Sequence, residues 1–517
     1  MTQNKKSLWL AIASGMSLFL VVASWALLVP PKSAPDDDFH LTSIWCAWGD
    51  SAYCIEGSSG SVRVPDQLVA LNCRNFDFKQ PDEKCDWQAP FTFTSTERFR
   101  PPNGYNSPLF YVVNRVFVDE DIAASTLRIR LFNSALLGIV FSAAMWVASP
   151  IIRRSLALTW MVAATPLVAF TVASTTPQSW TITSGALSWV FFASWLTHAP
   201  QELTRRVVSV LGLALTIILA ASARSDAGLY VFASYLAVIV YYWSLRRNFG
   251  RRLLLVVVPA VIVTTIGFSY RASSLLVSGS DGSSSGAPNF PQADFVAMLS
   301  SLPAFFAGIT GFFPASEVPW NSYVTWGLGW EGFPSPSFAY LTLLLALGGL
   351  IMWGIQSIAS NRLIAIALLA LAVVSAPILN VVVVYEFASG NQLRYFLPLA
   401  LALVAFLLLK PLTLEGSLTT PQLTLVAILT GIGSFVAFVS AAVRYQQGLT
   451  SLWDVAWARV WADESSSPLP GPSLLIFGLL ALLLFVSSAV LQVRAAQEHS
   501  AKPLLRRRAD PSRHPRP

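Results

Sequence analysis

Charge is the scarcest commodity in this chain: Asp, Glu, Lys and Arg make up only 12% of 517 residues, roughly half of what a soluble domain carries. That shortage excludes an ordinary soluble enzyme. Several standard chemical sites are also missing. There is no Gly-x-x-x-x-Gly-Lys-Ser/Thr phosphate loop and no His-Glu-x-x-His pair, and the first absence argues against ATP-driven transport by this chain. Histidine occurs four times, and His198, His499 and His514 fall at a span end or in a polar tail. The net charge of +7 is scattered rather than gathered into a basic face interleaved with aromatics, so nucleic acid is excluded as a partner.

What the chain has in abundance is apolar length. Hydrophobic residues are 54% of the total, and they fall in runs long enough to cross a hydrocarbon core of about 30 Å. Runs bounded by charge or by Pro and Gly predict spans near 8–29, 132–149, 156–173, 179–197, 207–222, 227–244, 253–270, 338–355, 363–384, 396–409, 422–442 and 472–492. The expected fold is therefore an all-α integral membrane bundle of about 12 transmembrane helices, with both termini on one side of the bilayer. Residues 294–313 are apolar as well, but Pro303, Gly308 and Gly311 interrupt them; a re-entrant or interfacial helix is expected there.

The charges set the orientation. With 294–313 not crossing, the N-terminal side holds 19 of the 34 basic residues against four acidic ones, a net of +15, while the other side nets −8. Positive loops face the cytoplasm. The chain then divides into a cytoplasmic N-terminus and first span (1–29), a large extracytoplasmic loop (30–131), spans two to seven (132–270), a second extracytoplasmic loop (271–337), spans eight to twelve (338–492) and a basic tail (493–517). The tail is expected to be disordered and drawn to anionic lipid. Ser278–Pro291, rich in Gly and Ser, reads as a hinge, and the Trp-rich stretches 320–330 and 453–461 as an interfacial aromatic belt.

All four cysteines, Cys46, Cys54, Cys73 and Cys85, lie in the first loop. An even number confined to one non-cytoplasmic loop predicts two disulfides, with three alternative pairings that sequence cannot separate.

The same loop opens with Pro35-Asp36-Asp37-Asp38-Phe39-His40. Three adjacent carboxylates repel one another, which suits either a general base or a ligand set for a divalent metal, with Asp36, Asp37 and Asp38 as its ligands. The plainer reading is a solvated acidic linker. In an extended segment Asp36 and Asp37 would point to opposite sides, and as loop carboxylates they would contribute little to packing. On the same face lie Arg224 and Asp226 after the fifth span, Glu386 after the ninth, and Arg394 and Tyr395 before the tenth. Arginine at a span end is ordinarily a snorkelling anchor, but it also grips phosphate by paired hydrogen bonds.

These segments resemble a group of bacterial polytopic membrane proteins, a domain-of-unknown-function family placed in the GT-C superfamily of glycosyltransferases. Residues 35–40 look like the family's Pro-Asp-Glu-x-x-His, with Asp37 in place of Glu. Asn106-Ser-Pro108-Leu-Phe-Tyr111 and Arg130-Leu-Phe-Asn-Ser134 look like its approach to the second span. Gln392-Leu-Arg394-Tyr395-Phe396-Leu-Pro398 looks like its late Gln-Gly-Arg-Tyr-Phe-Leu-Pro, with Leu393 replacing Gly. Thr175-Thr176-Pro177 departs from the family's usual Asn-Pro.

The resemblance implies a GT-C-like bundle in a bacterial cytoplasmic membrane, an acidic catalytic base in the first loop, a polyprenyl-phosphate-linked sugar as donor and an envelope glycan or glycolipid as acceptor. Asp36, Asp37 and His40 would then be catalytic, and Arg394, Tyr395, Arg224, Asp226 and Glu386 would bind substrate. A non-catalytic assembly or sensor protein fits the same topology. A transporter fits less well, because the spans hold almost no ionisable residues at mid-membrane and show no internal repeat.

The topology is checked by single-cysteine labelling in a cysteine-free background. Positions in 30–131 should react with an impermeant reagent in intact cells, and labelling of position 500 would overturn the orientation.

Overall fold

The computed structural model describes residues 2–34, 36–57, 60–69, 91–99, 108–163, 166–199, 201–224, 226–243, 337–356, 358–384, 395–410, 417–447 and 471–509. Among them are 15 α-helices and one small sheet. In chain order these are α1 (Thr2–Leu28), α2 (Asp37–Trp45), β1 (Ile55–Glu56), β2 (Val62–Pro65), α3 (Asp66–Val69), β3 (Phe93–Thr96), α4 (Pro108–Asn114), α5 (Ile122–Val147), α6 (Pro150–Ala163), α7 (Pro166–Val172) and α8 (Gln178–Thr197). There follow α9 (Leu203–Ala223), α10 (Ala227–Trp243), α11 (Ser337–Ile355), α12 (Ser360–Val384), α13 (Leu397–Leu407), α14 (Thr420–Gln447) and α15 (Gly471–Ala509).

Five of these helices, α1, α5, α9, α14 and α15, are long and apolar enough to cross a bilayer, and α6 with α7 makes a sixth if the pair is one span. The predicted straight span at 156–173 is thus broken, α6 and α7 meeting at 93°. Pro166 begins α7, where its missing N–H costs nothing. The expected spans of α10, α11, α12 and α13 form as helices at the expected places, whereas 253–270 and 294–313 lie outside the described residues. So do the Gly- and Ser-rich 278–291 and the Trp-rich stretches.

Two boundaries move. The helix expected from 132 begins ten residues earlier, at Ile122, with the Asp121 carboxylate accepting a hydrogen bond from the Ala124 amide at 2.8 Å. Arg128 and Arg130 interrupt the apolar run but not the helix, since both find acidic partners. The tail expected to be disordered continues α15 as far as Ala509. Its Ala, Gln, Glu, Leu and Arg residues favour helix once a membrane-length helix has nucleated it.

The first loop is not purely helical either. β1, β2 and β3 form an antiparallel sheet in that order, with Val62 opposite Thr96 and Arg63 opposite Ser95. Val62-Arg63-Val64 alternates buried, exposed, buried, as a half-covered strand must. Cys46, at the end of α2, is disulfide-bonded to Cys54 across a Cα separation of 5.3 Å. Cys73 and Cys85 lie outside the described residues.

Small residues set how closely the helices approach. Gly15 of α1 and Gly138 of α5 face each other so tightly that a Cβ on Gly138 would lie 2.8 Å from the Gly15 carbonyl oxygen. Such contacts let membrane helices pack without a hydrophobic drive between them. α8 stands at the centre of the bundle, buried along nearly its whole length, with Gly185 against Pro398 and Gly212 of α9 against Phe191. Its Ser and Thr hydroxyls return to its own carbonyls, as Thr183 does to Ser179 at 2.8 Å.

The Cys46–Cys54 pairing is checked by mass spectrometry of unreduced protein. A peptide linking Cys46 to Cys54 is the expected product, with Cys73 and Cys85 joined to each other. Replacing Cys46 and Cys54 together by Ser should loosen this loop by about 2–3 kcal/mol, read as faster proteolysis between α2 and β2.

Candidate functional site

The chain leaves α1 through Val29-Pro30 and turns into α2 by way of two non-glycine residues with left-handed backbones, Lys32 (φ 68°) and Asp36 (φ 59°). Each costs about 1–3 kcal/mol and persists only where its surroundings hold it. What holds them is a buried ion pair. Asp37, fully buried, accepts from Arg130 Nη2 at 3.0 Å, from the Ala34 amide at 3.2 Å and from the Thr175 hydroxyl. Arg130 in turn donates to the Val29 and Pro30 carbonyls. Lys32 is buried as well, its ammonium donating to the Gln67 carbonyl at 3.1 Å.

The other two carboxylates go elsewhere. Arg98, just past β3, donates through Nε to Asp38 at 2.5 Å and through Nη2 to Asp36 at 3.3 Å. Asp38 is buried, whereas the side chain of Asp36 keeps 36% of its surface and that of Arg98 49%. The repulsion expected among three adjacent carboxylates is thus relieved by dividing them between two arginines.

The predicted extended segment is replaced by α2, which places His40 one turn beyond Asp36 and Asp37. His40 Nδ1 shares a hydrogen bond of 3.0 Å with the hydroxyl of Tyr111, and the two rings stack. Asn133, one turn along α5 from Arg130, accepts from Trp180 Nε1 and donates to the Ser174 carbonyl, both at 3.0 Å. Residues from the acidic motif, the Tyr111 segment, the Arg130 segment and the Thr175 turn therefore form one connected network. Asp37 also departs from the expectation of a carboxylate that contributes little to packing.

A second cluster lies past the end of α9, whose Leu219 and Ala223 pack in the same core as Leu41, Ile44 and Trp45 of α2. Arg224 makes a two-pronged bond to Asp226 at 3.0 and 3.1 Å, and Tyr230 donates to the same carboxylate at 2.8 Å. The Arg224 guanidinium also lies 4.2 Å from the centre of the Tyr395 ring. Burial alone would weaken Arg224 as a base, but the Asp226 charge outweighs it, raising the pKa and keeping the guanidinium charged. Its Nη1 has no hydrogen-bond partner among the described residues.

The structure thus brings Arg224, Asp226 and Tyr395 together, as the sequence placed them on one face, while Arg394 and Glu386 lie outside the described residues. Asp36, Asp37 and Asp38 do not converge on one point. Among the described residues no group of three or more His, Cys, Asp and Glu is arranged to hold a metal ion. Sequence reading missed Arg98 and Tyr230, and quoted Arg130, Tyr111 and Thr175 without assigning them a role. The available signal for Arg130 was a guanidinium inside a membrane helix, which requires a partner.

Arg130→Ala should destabilise the protein by about 3–5 kcal/mol, because it leaves the Asp37 carboxylate buried and unpaired. Combining Arg130→Met with Asp37→Leu should recover much of that loss. Thermal unfolding of the purified variants checks both; equal damage by the double and single changes would contradict the ion-pair account.

A family description, predicted membrane protein (DUF2142), matches residues 19–403. No curated protein and no solved structure matches the chain. The matched stretch contains the Asp37–Arg130 pair, the His40–Tyr111 bond and the Arg224 cluster, and the chain belongs to this family of predicted membrane proteins.

Proposed function

We propose that the chain is a membrane-embedded glycosyltransferase of GT-C type, moving a sugar from a polyprenyl-phosphate donor to an envelope glycan or glycolipid on the outer face of a bacterial cytoplasmic membrane. The observation that carries this reading is the joining of distant motifs: Asp37 to Arg130 across 93 residues and His40 to Tyr111 across 71. A solvated acidic linker would have no need of such partners.

Within this reading the three carboxylates have different tasks. Asp36 is the base, because it is partly exposed and held in a left-handed conformation at the start of α2. It takes the proton of the acceptor hydroxyl while that oxygen bonds to the anomeric carbon with inversion. The bond from that carbon to the phosphate oxygen breaks, and its electron pair leaves with the lipid phosphate. Arg394 and Arg224 stabilise the charge that develops there. Asp37 is a positioning residue that fixes α2 through Arg130, and His40, tethered by Tyr111, orients the acceptor side.

A second reading, a non-catalytic assembly protein, draws on the saturation of Asp37 and Asp38 by arginines and on the disulfide-held loop as a binding surface. Asp36→Asn separates the two. Asparagine tolerates the left-handed conformation, so the variant keeps the fold and loses the base, and transfer should fall roughly 10²–10⁴-fold. A deletion strain should accumulate a polyprenyl-phosphate sugar in its lipid extract, and the Asp36→Asn variant should fail to clear it. Clearance at the normal rate would leave the assembly reading in its place. Arg394→Ala should chiefly weaken donor binding, with Arg394→Lys restoring only part of it, since an ammonium lacks the planar fork.

A further inference from the structure

At the end of the bundle opposite the acidic loop, three cations gather: Arg154 near the start of α6, Arg362 near the start of α12 and Lys410 just after α13. All are buried, at 0%, 1% and 5% exposure. Arg154 Nη2 donates to the Lys410 carbonyl, and Arg362 donates to the Leu409 carbonyl at 2.9 Å and the Gly354 carbonyl at 2.7 Å. Lys410 Nζ reaches the Trp353 carbonyl at 3.4 Å and Gln356 Oε1 at 3.3 Å. The centre of the Trp353 ring is 5.1 Å from the Arg154 guanidinium and 5.1 Å from Lys410 Nζ.

The carbonyl partners explain where these side chains sit but not how their charge is tolerated. Gly354 and Trp353 close α11, and Leu409 and Lys410 follow α13. Two helix C-termini supply roughly −0.5 each, so three cations are left with a surplus of about +2. Arg154 repels Arg362, and both repel Lys410. Among the described residues no Asp or Glu is paired with any of the three. Buried charge of one sign requires a counter-charge. Polar capacity is also left over, since Arg154 Nε and Nη1 and Arg362 Nε are buried without a hydrogen-bond partner.

We infer that Arg154, Arg362 and Lys410 form a binding site for a phosphate-bearing anion, distinct from the acidic site and independent of the glycosyltransferase reading. The unpartnered Nε and Nη1 of Arg154, Nε of Arg362 and the Lys410 ammonium match the oxygens of a phosphate group, and Trp353 lies beside them. The same chemistry is offered by inorganic phosphate and by the headgroup of an anionic lipid. Met352, Leu363 and Ile364 on the adjoining helices expose apolar surface of the kind that acyl chains cover.

The test uses full-length protein purified without phosphate. Thermal unfolding is followed while millimolar inorganic phosphate replaces chloride at constant ionic strength, and separately in nanodiscs of phosphatidylglycerol or phosphatidylcholine. A raised Tm with phosphate assigns a free anion; a raised Tm in phosphatidylglycerol discs alone assigns a lipid headgroup. In either arm Arg362→Gln and Lys410→Gln should weaken the apparent affinity roughly tenfold or more. The inference is overturned if wild-type Tm ignores both phosphate and phosphatidylglycerol, or if it responds and neither substitution diminishes the response. Should the variants fail to fold, the anion dependence of the wild type decides alone.

Discussion

A buried ion pair governs the acidic-loop end of this protein. Arg130 is carried into the bundle by a membrane-length helix, and a charge in that position is costly unless it is met. Asp37 meets it, and so poorly hydrated a pair calls for further hydrogen bonds. The Val29 and Pro30 carbonyls, the Ala34 amide and the Thr175 hydroxyl supply them, leaving Arg130 Nε buried without a partner among the described residues. Those four groups come from the exit of α1, the approach to α2 and the turn before α8, so desolvation at one point ties three segments to α5. The left-handed backbones of Lys32 and Asp36 follow, since only a sharply turned chain can present all of these groups at once.

That constraint also sorts the acidic motif into parts with different physics. Asp37 is committed to the fold, Asp38 to Arg98, and Asp36 alone retains substantial contact with solvent. At the other end of the bundle the electrostatics are reversed. Among the described residues the three buried cations there face carbonyls rather than carboxylates. The described part of the molecule is therefore polar along its length, one end closing on its own ion pairs and the other holding buried positive charge with no carboxylate partner.

How much of this was legible beforehand depends on what each signal measures. Apolar runs report whether a segment suits an apolar environment, and so they locate α8, whose expected limits of 179–197 nearly match Gln178–Thr197. They do not distinguish lipid from protein as that environment, and they stop at charges. The start of α5 was missed for this reason, because Arg128 and Arg130 look like an end to the helix when their partners lie far off in sequence. The sheet was missed because a strand of four residues gives too short an alternation to register. Arg98 is one of ten basic residues in its loop and nothing local marks it. Its pairing is a property of the folded loop. The motif residues Asp37, His40, Tyr111 and Arg130 were visible singly, whereas their meeting required the path of the chain between them.

The packing of α1 bears on the order in which the protein can be assembled. Ser17 of α1 bonds to Ser488 of α15 at 3.1 Å, and Ser14 accepts from Gln492 at 3.0 Å, contacts spanning 471 and 478 residues. At ribosomal rates of about 5–20 residues per second, the two halves of this contact are made roughly 25–95 seconds apart. For most of that interval α1 is held by α5 through the Gly15–Gly138 approach but has one polar stripe still waiting. The helix synthesised early is thus completed late. Until α15 arrives, Ser14 and Ser17 are without the interhelical partners they have in the finished fold, so the last helix made is the one that closes the first.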